Sequence, residues 1–201
     1  MSQPHIIEWR SLPAKPWKNG AGVTRDIAVE PLGATPDDFE WRISVADVAH
    51  DAPFSAFPGV DRCIVLLEGV GMRLRADDGS FDARLDTPLQ PFRFAGDTAA
   101  TATLINGPCV DFNVMVRRGS WLAQVKQALG TAQLASASAG LLMCVQGSVS
   151  IGSPGQPELP LTAGQSALWR WAAPARTLRS NHSSSRVLIV QLHALDQEAA
   201  P

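Results

Sequence analysis

Short apolar runs with a period of two dominate the chain and predict strands. Trp41, Ile43 and Val45 alternate with Arg42, Ser44 and Ala46, the pattern of a half-buried strand. Residues 62–68 are almost continuously apolar between Gly59 and Gly69, which reads as a strand buried on both faces. Met72 to Arg75 runs into Asp77-Asp78-Gly79, a hairpin-type turn. Two prolines between Arg84 and Phe94 break that stretch into short strands with irregular corners. Further strands are expected at 102–105 and 111–117, around the Asn106-Gly107-Pro108 turn. After a break they resume at 141–151, 166–171, 176–180 and 186–193, and the tail 196–201 is expected to fray.

The break has its own pattern. Trp121 to Leu129 carries apolar residues at helix-like spacing and ends at Gly130, so a short helix or helical turn is expected there. The Ala/Ser-rich stretch 131–140 then reads as a crossing connection. On either side of it, Leu66-Leu67-Glu68-Gly69-Val70-Gly71-Met72 is echoed by Cys144-Val145-Gln146-Gly147-Ser148-Val149-Ser150. Two similar β units imply two small barrels or sandwiches fused in one chain. The expected division is an N-terminal unit over 1–120 holding the ligand pocket, a connecting segment over 121–140, and a C-terminal unit over 141–201 completed by strands from the other half. The fold class is all-β with one or two short helices.

Composition narrows the function. Of 201 residues 45% are apolar and 18% charged, with a net charge of -2, so a packed core is assured and no global field gathers nucleic acid or an acidic membrane. No apolar stretch is long enough to span a bilayer. Met1 to His5 lacks the basic and apolar regions of a signal peptide, which predicts a cytoplasmic protein. Cys63, Cys109 and Cys144 each sit in an apolar run and read as reduced core residues.

Three segments mix aromatics with fixed charges, 17–25, 39–44 and 54–62, and the first and third add glycines. Strands that only build a core do not need that mixture, and it points to a pocket for a small anionic or polar molecule. His5, His50, His182 and His193 are all isolated in sequence. A β-sheet metal site needs ligands on alternate strand positions, so no metal and no cofactor are expected. Gly-x-Ser-x-Gly and P-loop patterns are missing as well, and no catalytic residue is assigned.

Recognition chemistry remains. A period of two places Arg62 with Ile64 and Leu66, sets Arg42 and Ser44 opposite Trp41, and aligns Asp111, Asn113, Met115 and Arg117. Arg62 or Arg42 can grip a carboxylate with two parallel hydrogen bonds. Lys18 adds a point charge, while Asn19, Ser44 and Asn113 offer polar partners. Trp17, Phe54, Phe57 and Met115 can wall a flat ring. Each residue has a plainer role open to it. Arg42 and Arg62 could pair with Asp61, Asp47 or Glu68, Lys18 could simply be solvated, and Asn19-Gly20 is an ordinary turn dipeptide. Trp169 and Trp171 could pack the second unit or a homodimer face.

The Trp-Lys-Asn-Gly run at 17–20, the Trp-Arg-Ile-Ser strand at 41–44, the Phe-Ser-x-Phe-Pro-Gly-x-Asp-Arg turn at 54–62 and the Asp-Phe-Asn-Val-Met strand at 111–115 come in an order that resembles the bacterial HutD/Ves family. The resemblance covers Trp9 to His193. It implies a bicupin, two fused cupin-type units, with a role in histidine utilisation as a ligand-sensing restraint and not a catalytic step. The implied partner is a small carboxylate metabolite: urocanate, or a formylated or formiminated glutamate. The rival is a metal-independent cupin enzyme acting on a formyl or formimino compound, with Asp61 or Glu68 as base. The family often has glycine where this chain has Ala21 and Ala52. If the turn needs a positive φ at 21, the methyl reshapes it.

Overall fold

A computed structural model of the protein describes residues 3–153, 155 and 157–195; the tail 196–201 lies outside them. The described residues form 19 strands and one turn of 3-10 helix at Trp9–Ser11. They divide into two compact units, residues 12–121 and residues 3–11 together with 122–195.

In the first unit the larger sheet has the order β2-β3-β4-β11-β6-β9. Its strands are β2 (Lys15–Pro16), β3 (Gly22–Glu30), β4 (Trp41–Val48), β6 (Val60–Glu68), β9 (Pro91–Ala95) and β11 (Cys109–Arg117). The smaller sheet, β5-β10-β7-β8, is built from β5 (Ala52–Phe54), β7 (Met72–Ala76), β8 (Asp82–Leu85) and β10 (Ala100–Leu104). Ile64, Leu66 and Phe94 from the larger sheet meet Phe54, Met72 and Leu74 from the smaller one in a single buried cluster. The pattern of residues 62–68 holds: Cys63 and Val65 on the other face are also buried.

The second unit repeats the plan. Its five-stranded sheet, β1-β17-β14-β19-β12, contains β1 (His5–Glu8), β12 (Trp121–Leu129), β14 (Ala139–Gln146), β17 (Gln165–Trp169) and β19 (Arg186–Ala194). Its four-stranded sheet, β13-β18-β15-β16, contains β13 (Ala132–Leu134), β15 (Ser148–Gly152), β16 (Leu159–Thr162) and β18 (Arg176–Ser180). Leu142, Ala167, Trp169 and Ile189 pack against Leu134, Ile151 and Leu178 between the two sheets.

Two expectations change. Trp121 to Leu129 is a strand, not a helix, and 121–140 carries β12 and β13 where a connection was expected. The apolar positions that mimic a helical stripe include Leu122 and Leu129, which are exposed. The burial that counts alternates, with Trp121, Ala123 and Val125 turned inward from Leu122, Gln124 and Lys126. Pairing with β19 therefore overrides the local spacing. The left-handed position of the first glycine turn is Gly20 (φ 72°), whereas Ala21 and Ala52 are not among the positive-φ residues. Both methyls are buried without backbone strain.

Gly71 marks a closer constraint. Its φ is 114°, and a Cβ there would lie 2.1 Å from the Leu85 carbonyl oxygen. Gly71→Ala is expected to cost about 2–3 kcal/mol in urea unfolding. A loss below about 0.5 kcal/mol, the size of an ordinary surface change, would show that the β7–β8 hairpin yields instead.

The three cysteines are free and buried. Burial pushes the Cys63 thiol up to about 11 and the Cys109 thiol to about 12, so neither is a thiolate nucleophile at neutral pH. Among the described residues no helix is long and apolar enough to cross a membrane.

Candidate functional site

Directly opposed residues of an antiparallel sheet share a face, and the register of the first unit builds its inner face rung by rung. One rung runs Phe94–Arg62–Met115–Arg42–Val29, and the next runs Phe92–Ile64–Asn113–Ser44–Asp26. A third joins Leu66, Asp111, Ala46 and Thr24. Four of the six expected ligand-binding residues, Arg42, Ser44, Arg62 and Asn113, thus fall on two adjacent rungs. Bulges interrupt the ladder between Val110 and Asp111 and between Asp26 and Ala28. Both inner-face acids therefore sit where pairing is locally re-aimed.

Arg62 is the centre of this face. It is only 6% exposed, and its guanidinium lies 4.9, 5.4 and 5.6 Å from the ring centroids of Phe94, Phe57 and Phe54. Nη1 donates to the Ser55 carbonyl at 3.2 Å and Nη2 to Asn113 Oδ1 at 3.4 Å. Nε is buried with no partner. Three rings facing a desolvated cation stabilise it appreciably, yet its hydrogen-bonding capacity is only partly used. Burial lowers the Arg62 pKa to about 10, with the Asp111 charge pulling it up and Arg42 pushing it down. It stays charged at neutral pH.

Asp111 is 1% exposed. Its Oδ1 accepts from Asn113 Nδ2 at 3.4 Å, and its Oδ2 has no partner. Burial raises its carboxyl to about 7, against the Asn113 hydrogen bond and the Arg62 charge, with Asp47 pushing the same way as burial. Asn113 thus bridges a buried cation and a buried acid through opposite ends of its amide.

A second network borders the first. Arg42 Nε donates to Asp26 Oδ1 at 2.7 Å, and Lys15 Nζ donates to Asp26 Oδ2 at 2.9 Å. Burial raises the Asp26 pKa, but the Lys15 and Arg42 contacts outweigh it and the net shift is downward. Arg42 is therefore an ion-paired residue, though its partner is Asp26 and none of the acids expected from the sequence. Asp61 pairs with Arg118 instead, and Arg62 faces inward, away from it.

Of the expected wall residues, Phe54 and Phe57 flank Arg62, and Met115 is buried with Phe39 and Val60. Trp17 stands edge-on to Phe54 at 5.7 Å and donates from Nε1 to Thr24 Oγ1 at 2.7 Å. Lys18 and Asn19 are exposed on the preceding turn, and Asn19 Oδ1 accepts from the Ala21 amide at 3.1 Å, which is the turn role. Trp169 packs in the second core while Trp171 is exposed. Sequence reasoning aligned Asp111 with Asn113 without assigning it to the site, and it missed Asp26 and Phe94. Asp111 carried a usable signal, since an acid two positions before Asn113 in an apolar strand shares its face.

The chain matches the HutD family over residues 10–188. It belongs to that family. Protein Ves of Citrobacter koseri is 38% identical over 161 residues, 80% of each chain. A 21.2 kDa protein encoded in the hutC 3′ region of Pseudomonas putida is 34% identical over 78% of this chain and 81% of its own. A conserved protein of unknown function from Pseudomonas aeruginosa PAO1 superposes with a TM-score of 0.84 at 35% identity, covering 96% of this chain and 100% of the other. HutD from Pseudomonas fluorescens SBW25 gives 0.80 at 28% identity, covering 95% and 98%. A cupin 2 conserved barrel domain protein from Leptotrichia buccalis, 10% identical with a TM-score of 0.60 over 95% of this chain and 97% of its own, shows the cupin fold. The HutD-family chain is an all-β bicupin.

Proposed function

We propose that this HutD-family protein binds a small carboxylate metabolite of bacterial histidine utilisation in the cytoplasm and restrains that pathway without catalysing a step. Urocanate and formyl- or formimino-glutamate are the ligands in view. The observation that carries the reading is Arg62: a buried guanidinium with an idle Nε, ringed by three phenylalanines, beside an amide. A carboxylate would take up Nε as one prong of a two-pronged contact. Phe54 and Phe57 would hold a flat ring, and Asn113 with Ser44 would meet an imidazole nitrogen or a formyl group. Arg42, already held by Asp26, supports the charge balance, and exposed Lys18 steers an anion from solvent. Entry requires segment 55–58 to lift, because Ser55 now occupies Nη1. The family membership and the hutC-adjacent relative support the link to histidine utilisation.

Thermal melting tests the reading. A ligand at about 100 times its dissociation constant adds about 2.7 kcal/mol, which for a chain of this size is a rise of roughly 5–10 °C. Urocanate or formylglutamate should produce it, and Arg62→Lys, which keeps the charge but loses the fork, should abolish most of it. No shift with any of these carboxylates, histidine or glutamate would sink the proposal.

One observation favours a second reading. A carboxyl near 7 suits proton transfer, so Asp111 could serve a metal-independent reaction on a formyl or formimino compound. Asp61 and Glu68 are exposed and unsuited to that buried chemistry. Product formation in the presence of a chelator, lost in Asp111→Asn, would establish it.

A further inference from the structure

Two buried charges of opposite sign are best placed in direct, hydrogen-bonded contact, because only that offsets the cost of taking both out of water. Arg62 and Asp111 are not placed so. Asn113 stands between them, accepting from Arg62 Nη2 on Oδ1 and donating from Nδ2 to Asp111 Oδ1, each at 3.4 Å. One polar atom is left over at either end. Arg62 Nε is a donor and Asp111 Oδ2 an acceptor, and both are buried without a partner among the described residues. The neighbouring charges are already engaged: Arg42, at the Arg62 end, pairs with Asp26, and Asp47, at the Asp111 end, pairs with Arg25.

The two idle atoms call for opposite partners. Nε needs an acceptor, which a carboxylate supplies. Oδ2 needs an N–H, and a cationic N–H serves it best, since it also neutralises the acid. The titratable groups acting on Asp111 are Arg62 of β6, Asp47 of β4 and Cys109 of its own strand. Burial holds the Asp111 carboxyl up at about 7, and a cation beside it fixes it as the carboxylate. A carbonyl oxygen in the same place requires the protonated acid, which is scarce at pH 8; otherwise acceptor faces acceptor. Trp17 joins both ends of this system. Its Nε1 donates to Thr24, which shares the Asp111 rung, and its ring stands edge-on to Phe54 beside Arg62. Trp17 is half-buried at the start of the exposed turn 17–20.

We propose that Asp111 sets the chemical class of the ligand: a carboxylate that also carries a cationic N–H group of the amidinium type, its carboxylate on Arg62 Nε and its amidinium N–H on Asp111 Oδ2. This rests on the binding reading above and narrows it, favouring a formimino over a formyl group on the same carbon skeleton. The ligand supplies each buried charge with the counter-charge that Asn113 keeps from it. Trp17 swings out with its turn to admit the amidinium end, as segment 55–58 lifts for the carboxylate.

Isothermal titration of the full chain at pH 8 with N-formimino-L-glutamate and N-formyl-L-glutamate tests this. The two compounds differ in a protonated imino nitrogen against an oxygen at one position, so their shared carboxylates cancel in the comparison. The formimino compound should bind about tenfold or more tightly, as expected of a charge-assisted hydrogen bond set against an unpaired acid. Asp111→Asn keeps the shape and removes the charge, and its amide can turn either end to the ligand. In that variant the two affinities should come within about threefold of each other. Arg62→Lys should weaken both compounds alike and leave their ratio unchanged. If Asp111→Asn does not melt cooperatively, the wild-type ratio decides alone. Equal wild-type affinities, tighter binding of the formyl compound, or a formimino preference that survives in folded Asp111→Asn overturns the proposal and leaves the carboxylate reading standing. Failure of both compounds to bind also overturns it, and if urocanate then leaves the melting temperature unmoved the carboxylate reading falls with it.

Discussion

Between about pH 4 and pH 7 the protein should lose on the order of 4 kcal/mol of stability that traces to one carboxyl, Asp111. Burial lifts that group from an ordinary 3.8 to about 7 in the folded chain. Across this window the folded state holds a proton that the unfolded state has released. The contribution is fully present below the unfolded pKa and disappears as pH rises through the folded one. Acids lowered by their partners, such as Asp26 and Asp97, act in the opposite sense, but at the acid end of the range. Urea unfolding from pH 4.5 to 8 reads the slope, and Asp111→Asn should flatten it. A wild-type profile that is level or rising over this interval would show that Asp111 is ionised in its site.

Arg62→Met should cost about 3–5 kcal/mol at pH 8, because it strips the buried acid of its neighbouring charge. The loss should shrink below pH 6, where Asp111 is neutral. Combining it with Asp111→Asn should recover much of the loss, since two groups in contact couple non-additively. Additive costs in the double variant would mean that Arg62 contributes through packing against Phe54, Phe57 and Phe94 alone.

The strands of the first unit and the faces of β4, β6 and β11 were legible because a half-buried sheet writes its period into the sequence. That period set Arg42 with Ser44 on one side of β4, Arg62 with Ile64 on β6 and Asp111 with Asn113 on β11; the register joins these sides into one face. Their partners were not legible. Asp26 reaches Arg42 across a strand pairing, and Phe94 comes from a proline-broken stretch whose strand identity depends on β6. Register between distant segments carries both contacts, and no local pattern encodes it. Trp121 to Leu129 failed for a related reason: its apolar residues suit two periods, and pairing with β19 decides between them.

Strand β1 has a consequence for synthesis. Its hydrogen-bonding neighbour β17 leaves the ribosome about 160 residues after it, roughly ten to thirty seconds at ordinary translation speeds. The nascent first unit can close without it. Strand β1 must wait, unpaired, until β17 emerges, so the order of translation and the order of sheet completion run in opposite directions.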